Sequence, residues 1–473
     1  MNINELRPLF EGKRCAILGY GREGKVWLSL LKRLDCCAEI AVADMKPQVI
    51  PEVTGIYGED YLERAKGYDL LLQSPGVIIK DKLTDEEKSR ILTQTEVLLR
   101  LRPCKIIGIT GTKGKSTTSS LTYHFLNACG FRTMLIGNIG VPPLERIEEM
   151  TPDTVAVCEM SCHQLEFVHH SPEIAVLLNI FPEHLDHYVS LEAYANAKRN
   201  IYRFQQSGDV SILNIDIIPD DICTNAECGN APACSNSGYR KSRLITIGCE
   251  RPAMAFSENG AIFLPDREIP AGEVRTQLRG KHNVYNITAA LMAANAAGAD
   301  IDRCLASLPD FRGLEHRLEY VDTINGVEYI NDSICTIPEA AIAAVKAFPD
   351  GADCVILGGM ERNIPYEKLA DFLNTGYVQN VILLPDSGYR IGDMITSPLV
   401  NKVRVSDLAE AVRTASQLAK RRVILCPAAA SYGFYKNFEE RGSHFKKLDD
   451  HKIPAYRRGF FVHFFSLGNA CFC

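Results

Sequence analysis

The heptapeptide from Gly111 to Thr117, GTKGKST, contains residue types that bind phosphate. Backbone N–H groups of such a loop surround phosphate oxygens, Lys115 adds a positive charge, and Ser116 offers a hydroxyl to Mg²⁺. The spacing differs from the common phosphate-binding motif, because Ile109 stands where that motif has its first glycine. The stretch therefore predicts a phosphate site in a subclass of ATP-using enzymes.

Three polar side chains follow this loop at or beyond the ends of apolar, strand-like runs. Glu159 in VCEMSCHQLEF is an oxygen donor suited to Mg²⁺, and His184 in NIFPEHLDHY is a candidate ligand for a second ion. Lys198 lies on a helix that we predict to begin with Leu191. Because ligands bind at the carboxyl ends of strands in doubly wound sheets, this order predicts a metal site beside the loop.

The elements that must position these residues alternate along the chain as apolar runs and helical patterns, which is typical of α/β folds. KIIGIT before the loop is a buried-strand pattern, and TSSLTYHFLNACG after it is a helical pattern that ends at Gly130. At about 150 residues per domain, the length of 473 residues indicates three domains. We predict an N-terminal Rossmann-like domain at 1–102, a central P-loop-type mononucleotide-binding domain at 103–310 and a C-terminal Rossmann-like domain at 311–473.

The composition is that of an ordinary soluble protein, with 23% charged residues and a net charge of −6. The chain has no basic tract that suits a nucleic-acid backbone, which argues against nucleic acid as a partner. It also has no signal-peptide pattern and no apolar run of about 18 residues that could cross a membrane. We therefore expect a cytoplasmic protein without a membrane partner.

The 17 cysteines are scattered through apolar segments, which favours buried or free thiols over a disulfide framework. Cys223, Cys228 and Cys234 form the nearest approach to a metal cluster, but they lack a CxxC pair and a nearby histidine. A polar surface loop is the favoured interpretation of this segment, and a zinc site is the alternative.

Glycines also follow the first strand-like run, where Gly19, Gly21 and Gly24 have the GxGxxG spacing of dinucleotide sites. Asp44 follows about 20 residues later, at the position where such sites place a ribose-binding acid. Taken alone, this pattern leaves two alternatives open: an NAD-dependent dehydrogenase and a structural glycine turn.

Several sequence blocks occur in the order found in one known family: GTKGKST, GNIG, EMSCHQLE, NIFPEHLDHY, KHNVYNITAA, EHRLEYV, NDS and PAAASYGFYKNFEERGSHFK. They resemble the signature blocks of the Mur ligases, and more narrowly the branch that adds glutamate to UDP-N-acetylmuramoyl-L-alanine. The resemblance spans nearly the whole chain. It implies that the γ-phosphate of ATP passes to a substrate carboxylate and that an amine then attacks the acyl phosphate. The partners would be this UDP-linked acceptor and glutamate, and we expect a monomer.

The resemblance also implies roles for individual residues. The nucleotide contacts would be Gly111, Thr112, Lys113, Gly114, Lys115, Ser116, Thr117, Asn286, Arg317 and Asp332. Ser116 and Glu159 would hold one Mg²⁺, and His184 with a carbamylated Lys198 would hold a second, which makes Lys115, His184 and Lys198 the catalytic set. The acceptor would contact Gly19, Gly21, Asp44, Ser74, Gly76 and Asn138, and the amino acid would contact Thr336, Arg362, Ser431 and Phe438.

Two positions depart from the pattern of most D-glutamate-adding members. Ile334 in NDSICTIP stands where most of these members have a lysine. They also have a lysine after a Gly-Gly turn, and in GGMERNIP of this chain the cation nearest to that position is Arg362. A guanidinium and an ammonium recognise carboxylates differently. These departures are similar to a smaller branch of the family that adds L-glutamate to the same acceptor, so L-glutamate is the alternative. We expect D-glutamate first, because that activity is by far the commoner in the family. A catalytically inactive nucleotide-binding module is the more remote hypothesis. The apolar and aromatic segment at 454–473 lies beyond the last family block. The sequence leaves two alternatives for it, a packed terminal element and a tail.

Overall fold

The computed structural model of the chain describes residues 1–79, 82–184, 187–218, 242–278, 280–348 and 350–450. The chain divides after Phe311 into two compact units. Within them lie three β-sheets flanked by helices, which confirms the predicted α/β class. The predicted boundaries 1–102, 103–310 and 311–473 remain a prediction. The cysteine segment at 223–234 and the aromatic C-terminus lie outside the described residues.

The first sheet is parallel and has the order β3-β2-β1-β4-β5. Its strands are β1 Arg14–Leu18, β2 Glu39–Asp44, β3 Thr54–Tyr57, β4 Leu70–Gln73 and β5 Ile91–Leu92. The helices of this region are α1 Arg7–Phe10, α2 Arg22–Leu34, α3 Tyr61–Ala65, α4 Asp85–Lys88 and α5 Gln94–Leu101. This order matches the first five strands of the Rossmann order 3-2-1-4-5-6.

The second sheet has the order β14-β13-β12-β11-β10-β9-β6-β8-β7 and is parallel except at β12–β13 and β13–β14. Its strands are β6 Lys105–Thr110, β7 Arg132–Gly137, β8 Thr154–Glu159, β9 Ile174–Leu177, β10 Val210–Asn214, β11 Arg243–Cys249, β12 Ala255–Glu258, β13 Ala261–Phe263 and β14 Glu268–Ile269. The helices are α6 Lys115–Ala128, α7 Cys162–Leu165, α8 Leu191–Arg203, α9 Lys281–Ala297 and α10 Ile301–Ser307.

The second compact unit contains the third sheet, with the order β15-β16-β20-β17-β18-β19 and one antiparallel pair, β15–β16. Its strands are β15 Glu319–Ile324, β16 Val327–Asn331, β17 Cys354–Gly359, β18 Asn380–Asp386, β19 Asn401–Arg404 and β20 Arg422–Leu425. The helices are α11 Pro338–Lys346, α12 Glu367–Asn374, α13 Ser387–Met394, α14 Leu408–Leu418 and α15 Phe438–Asp450.

The helix that carries Lys198 begins at Leu191, as the sequence predicts. The side chain of Ser190 accepts a hydrogen bond from the Ala193 N–H at 3.1 Å and so caps the helix. Tyr194, Lys198 and Ile201 are buried at a spacing of three to four residues, so the lysine lies on the apolar face of the helix. Its ammonium group is thereby carried into the interior of the fold.

The central sheet sets the geometry of the predicted phosphate site. Strand β6 lies between β8 and β9 and is parallel to both. The loop after β6, the carboxylate at the end of β8 and the chain after β9 therefore meet at one edge of the sheet. No helix among the described residues is long and apolar enough to cross a membrane.

Candidate active site

The glycine loop connects the end of β6 to the start of α6, which is the strand, loop and helix order predicted for it. Gly114 has a φ of 85°, which residues with a side chain rarely adopt, and it occupies the N-cap position of α6. A Cβ atom there would also lie 2.5 Å from Oδ1 of Asn286 on α9. Glycine is thus required twice over, and the predicted adenine contact lies directly against the loop.

Lys115 and Lys198, the two lysines predicted to be catalytic, both donate to carbonyl groups of this loop. Lys115 Nζ donates to the carbonyl oxygens of Gly111 and Thr112, each at 2.9 Å. Lys198 Nζ donates to the same Gly111 carbonyl, also at 2.9 Å. Burial lowers the pKa of Lys115, although Glu159 and Glu183 act in the opposite direction. Two cations thus converge on one carbonyl, where an anionic ligand would relieve their repulsion.

Lys198 is the more perturbed of the two lysines. Its side chain is 1% exposed, and its Nζ lies 4.8 Å from the centre of the Tyr194 ring. Burial, together with the nearby charge of Lys115, lowers the pKa of Lys198 to about 8. About a tenth of the amine is therefore neutral at pH 7, far more than for an ordinary lysine, and a neutral amine is the form that reacts with carbon dioxide.

Glu159 supplies the clearest test of whether these residues fit a divalent cation. It is fully buried at the end of β8, and its Oε1 accepts a hydrogen bond from Asn138 Nδ2 at 2.7 Å. Its Oε2 has no hydrogen-bond partner in the part of the chain that the structure describes. A buried carboxylate oxygen without a partner is costly, and Mg²⁺ prefers such oxygens as ligands. The carboxylate, with the half-buried Ser116 on the first turn of α6, therefore fits Mg²⁺.

His184 has an exposed side chain and a φ of 57°. The centre of its ring lies 5.0 Å from that of His163 and 6.3 Å from that of Tyr194. Tyr194 also links this region to the phosphate loop, because its hydroxyl lies 2.9 Å from Thr112 Oγ1. His184 and Lys198 thus both lie near Tyr194.

The N-terminal glycines form a separate group at the carboxyl ends of β1, β2 and β4. Gly19 has a φ of 81°, and its carbonyl accepts a hydrogen bond from Ser74 Oγ at 2.8 Å. Asp44 accepts the N–H of Tyr20 at 2.7 Å, and Gly21 caps α2. The predicted acceptor residues Gly19, Gly21, Asp44 and Ser74 therefore lie together. Gly76 follows Ser74, and the space around it would admit a side chain.

In the second compact unit, Asp332 follows β16 and is almost fully buried. Its Oδ1 accepts the N–H of Leu318 at 3.0 Å, and burial raises its pKa to about 6 despite the charge of Arg317. Arg317 itself is exposed. The two predicted nucleotide contacts of this unit are thus close to one another.

The predicted amino-acid contacts lie at several places in this unit. Arg362 donates to the carbonyl oxygen of Thr336 at 2.6 Å, so these two residues are neighbours. Ser431 lines a cavity of about 290 Å³. Phe438 begins α15, with its ring 6.1 Å from that of His316.

Comparison with known proteins identifies the family of the chain. Residues 109–294 match the family described as the Mur ligase middle domain. A UDP-N-acetylmuramoylalanine–D-glutamate ligase of Acetivibrio thermocellus is 33% identical, with 94% of this chain and 98% of the relative covered. The ligase of the same name from Clostridium kluyveri is 31% identical over the same shares of the two chains. The chain belongs to the Mur ligase family.

Solved Mur ligase structures share the fold. A UDP-N-acetylmuramate–alanine ligase from Thermotoga maritima superposes with a TM-score of 0.56 at 16% identity, covering 93% of this chain and 99% of the other. A UDP-N-acetylmuramoyl-L-alanyl-D-glutamate–2,6-diaminopimelate ligase gives 0.55 at 18% identity and covers 94% of each chain. The predicted fold class and the resemblance to Mur ligases are therefore confirmed, whereas the roles of the site residues remain predictions.

Sequence reasoning missed one residue of this Mur ligase that the structure makes conspicuous. Arg441 on α15 lines the same cavity as Ser431 and is 2% exposed. Its Nη2 donates to the carbonyl oxygens of Ser333 and Ala429, whereas Nε and Nη1 have no hydrogen-bond partner among the described residues. Burial lowers its pKa to about 10, which leaves it a cation at neutral pH. The signal was its place in the family block NFEERGSHF, but nothing in the sequence shows that this arginine is buried.

Proposed function

We propose that the protein is an ATP-dependent ligase of peptidoglycan precursor synthesis that joins D-glutamate to UDP-N-acetylmuramoyl-L-alanine and releases ADP and phosphate. One observation carries this proposal: Lys115, Lys198 and Glu159 converge on a phosphate loop in a chain 31–33% identical, over 94% of its length, to ligases of that name. D-glutamate is favoured over L-glutamate because those relatives are named for D-glutamate.

The phosphate loop would bind ATP through its backbone N–H groups and the N-terminus of α6. Lys115 then exchanges its two carbonyl partners for phosphate oxygens, which carry a full negative charge. As the γ-phosphoryl group moves to the acceptor carboxylate, the ammonium stabilises the charge that develops. Lys113, Thr112 and Thr117 belong to the same loop, and Asn286 lies where adenine would approach it.

Ser116 and Glu159 would hold one Mg²⁺, while His184 and a carbamylated Lys198 would hold the other. The ions would supply charge neutralisation at the phosphate groups. Carbamylation joins the neutral Lys198 amine to the carbon of CO₂ and releases one proton, so a buried cation becomes an oxygen donor. The burial of this lysine and its pKa of about 8 support this step.

The UDP part of the acceptor would bind at the N-terminal glycine turn. The N–H groups after Gly19 and Gly21 would contact the pyrophosphate, and Asp44, Ser74 and Gly76 complete the cleft. Asn138 would orient the peptide end of the acceptor. Because Asn138 already donates to Glu159, it would connect acceptor binding to the metal-binding carboxylate.

The second compact unit would supply the amino acid site and further nucleotide contacts. Arg317 and Asp332 would contact the nucleotide, and Thr336, Arg362, Ser431 and Phe438 the incoming glutamate. Arg441 extends this set, because a buried guanidinium with unpaired N–H groups beside Ser431 suits a substrate carboxylate. The glutamate amine then attacks the acyl phosphate, forms the amide bond and displaces phosphate.

The remaining alternatives have weaker support. A dehydrogenase is disfavoured by membership of the Mur ligase family, in which the same glycine turn serves a different nucleotide. An inactive module would have no chemical need for Glu159, Lys115 and Lys198 to converge on one loop. The oligomeric state stays a prediction of a monomer.

The test measures phosphate release from ATP with UDP-N-acetylmuramoyl-L-alanine, with D-glutamate and L-glutamate in parallel. We expect release with D-glutamate and its loss in Lys115→Ala. Lys113→Ala should retain most activity, because it keeps the backbone N–H that Lys113 contributes to the loop and removes only an exposed ammonium group paired with Glu183. Near-normal activity of Lys115→Ala would refute the assignment of the phosphate loop. Release with L-glutamate alone would refute the proposed amino acid but leave the ligase chemistry intact.

A further inference from the structure

A cluster of histidine and glutamate side chains, residue types that can bind metal ions, lies beside the predicted magnesium residues but includes none of them. His163 and Glu166 are three residues apart at the short helix α7, which places them on one side of its single turn. His187 follows the His184 turn and reaches the same place. One ligand atom from each of His163, Glu166 and His187 lies within 4.8 Å of the other two.

The contacts within this cluster are close. Nε2 of His187 lies 2.9 Å from Oε2 of Glu166, and the rings of His163 and His187 meet edge to face with centres 4.4 Å apart. The ring of Tyr188 stacks parallel to that of His163 at 5.8 Å. Aromatic packing therefore holds the two imidazoles in position.

His187 belongs to this cluster through its nitrogen Nε2. Its side chain is only 5% exposed, and Nε2 is the atom that lies against Oε2 of Glu166. An ion bound between these two atoms and His163 would replace a hydrogen bond between imidazole and carboxylate with bonds from both groups to the metal.

We propose that His163, Glu166 and His187 form a binding site for a divalent transition metal ion of the zinc class, distinct from the Mg²⁺ positions. Two imidazoles and one carboxylate are ligands that such ions accept readily, whereas Mg²⁺ prefers oxygen. Ligand atoms around a tetrahedral zinc lie about 3.3 Å apart, so small rotations of these side chains bring them onto one ion. The inference does not depend on the proposed ligase function.

The ion would tie α7 to the turn that carries His184. Both segments lie beside the phosphate loop, so the ion would stabilise this part of the fold. A second triad, Cys162, His163 and His184, shares His163 with the first. The experiment must therefore distinguish the two triads as well as the Mg²⁺ positions.

The test uses the full-length, tag-free protein, stripped of metal by a chelator and titrated with Co²⁺ in the presence of excess Mg²⁺. We expect one equivalent of Co²⁺ to bind with the visible absorption of a low-coordinate site and to be displaced by Zn²⁺. No Co²⁺ binding by the wild-type protein would overturn the proposal, as would its loss in excess Mg²⁺.

Single variants locate the ion. His163→Phe, Glu166→Gln and His187→Gln should each weaken Co²⁺ binding by about tenfold or more. His170→Gln is the matched control, because His170 pairs with Glu96 at 2.7 Å in a half-exposed position outside the cluster. Thermal melting without metal checks that each variant folds, and the wild-type titration stands independently of them.

Two outcomes would move the ion elsewhere and refute the assignment. Loss of binding in His184→Ala with retention in His187→Gln would put the ion at the predicted Mg²⁺ residues. A sulfur-to-metal charge-transfer band that disappears in Cys162→Ser would put it in the second triad.

Discussion

Lys198→Met should make the protein more stable while it abolishes ligase activity. The lysine is almost fully buried, and its hydrogen bond is to a neutral carbonyl that also accepts from Lys115. Methionine has a similar length and no charge, so it fits the same space. The variant removes a buried cation that, in our proposal, serves the reaction and not the fold.

The magnitude follows from the two pKa values of this lysine. Its pKa falls from 10.5, the ordinary value, to about 8 in the folded protein. The folded state therefore binds the proton more weakly than the unfolded state, and below about pH 8 this costs about 3 kcal/mol of folding free energy. As the pH rises from about 8 through about 10.5, the unfolded state also loses its proton and the cost disappears. Some of the gain is offset by the lost hydrogen bond, about 1 kcal/mol.

Urea unfolding without nucleotide, in buffer depleted of CO₂, measures this difference. We expect Lys198→Met to gain about 2 kcal/mol near pH 7 and little near pH 10. Lys113→Met is the control, because Lys113 is exposed and should shift the free energy of unfolding by less than about 0.5 kcal/mol. A loss of stability near pH 7, or an equal gain at both pH values, would refute the account of Lys198 as an uncompensated buried cation.

Bicarbonate extends the same experiment to the carbamate. If CO₂ adds to the neutral amine, bicarbonate should stabilise the wild-type protein, and ¹³C-labelled bicarbonate should give a carbamate NMR signal. Lys198→Met should show neither effect. A wild-type protein with no carbamate signal at saturating bicarbonate, with or without Mg²⁺, would refute carbamylation.

Three further predictions concern Gly114, Glu23 and Arg441. Gly114→Ala should raise the KM for ATP by about tenfold or more, because the new Cβ atom would meet Asn286. Gly130→Ala is the control, since Gly130 has the same φ of 85° and open space around it. This control should lower the free energy of unfolding by only about 1 kcal/mol and leave the KM unchanged. Burial raises the pKa of Glu23 to about 7 from 4.5. The free-energy cost of burying the ionised carboxylate is therefore nearly absent below about pH 4.5 and complete above about pH 7. In urea unfolding, Glu23→Gln should gain about 3 kcal/mol near pH 8 and under about 1 kcal/mol near pH 5. Arg441→Met should raise the KM for glutamate by about tenfold or more and leave the KM for ATP unchanged, as steady-state phosphate release would report.

The sequence predicts those parts of the site that depend on local pattern. KIIGIT became β6, and the helix with Lys198 begins at Leu191 as predicted. The helix predicted from Thr118 begins three residues earlier, at Lys115. Hydrophobic periodicity and capping residues encode such elements within a few residues of themselves. The order of parallel strands then predicts that polar residues at their carboxyl ends face one edge of the sheet.

The close contacts of the site could not be predicted in this way. The approach of Asn286 to Gly114 and the hydrogen bond from Asn138 to Glu159 depend on the packing of elements far apart in the chain. The burial of Arg441 is equally hidden, because an arginine in the block NFEERGSHF has the sequence pattern of an exposed helix residue. The cluster of His163 and His187 also requires α7 and the chain at His187 to meet.

Three buried charged groups share a property that connects stability with function. Glu159, Lys198 and Arg441 are each at most 2% exposed, and each makes its observed hydrogen bonds to neutral groups. Burial of a charge without a counter-charge is costly, so a fold selected for stability alone would replace them with apolar residues. In our proposal each faces a ligand that supplies the missing partner: a cation at Glu159, carbon dioxide at Lys198 and a carboxylate at Arg441. Because such ligands bind the folded state alone, they should stabilise it, and the free protein should be the least stable form.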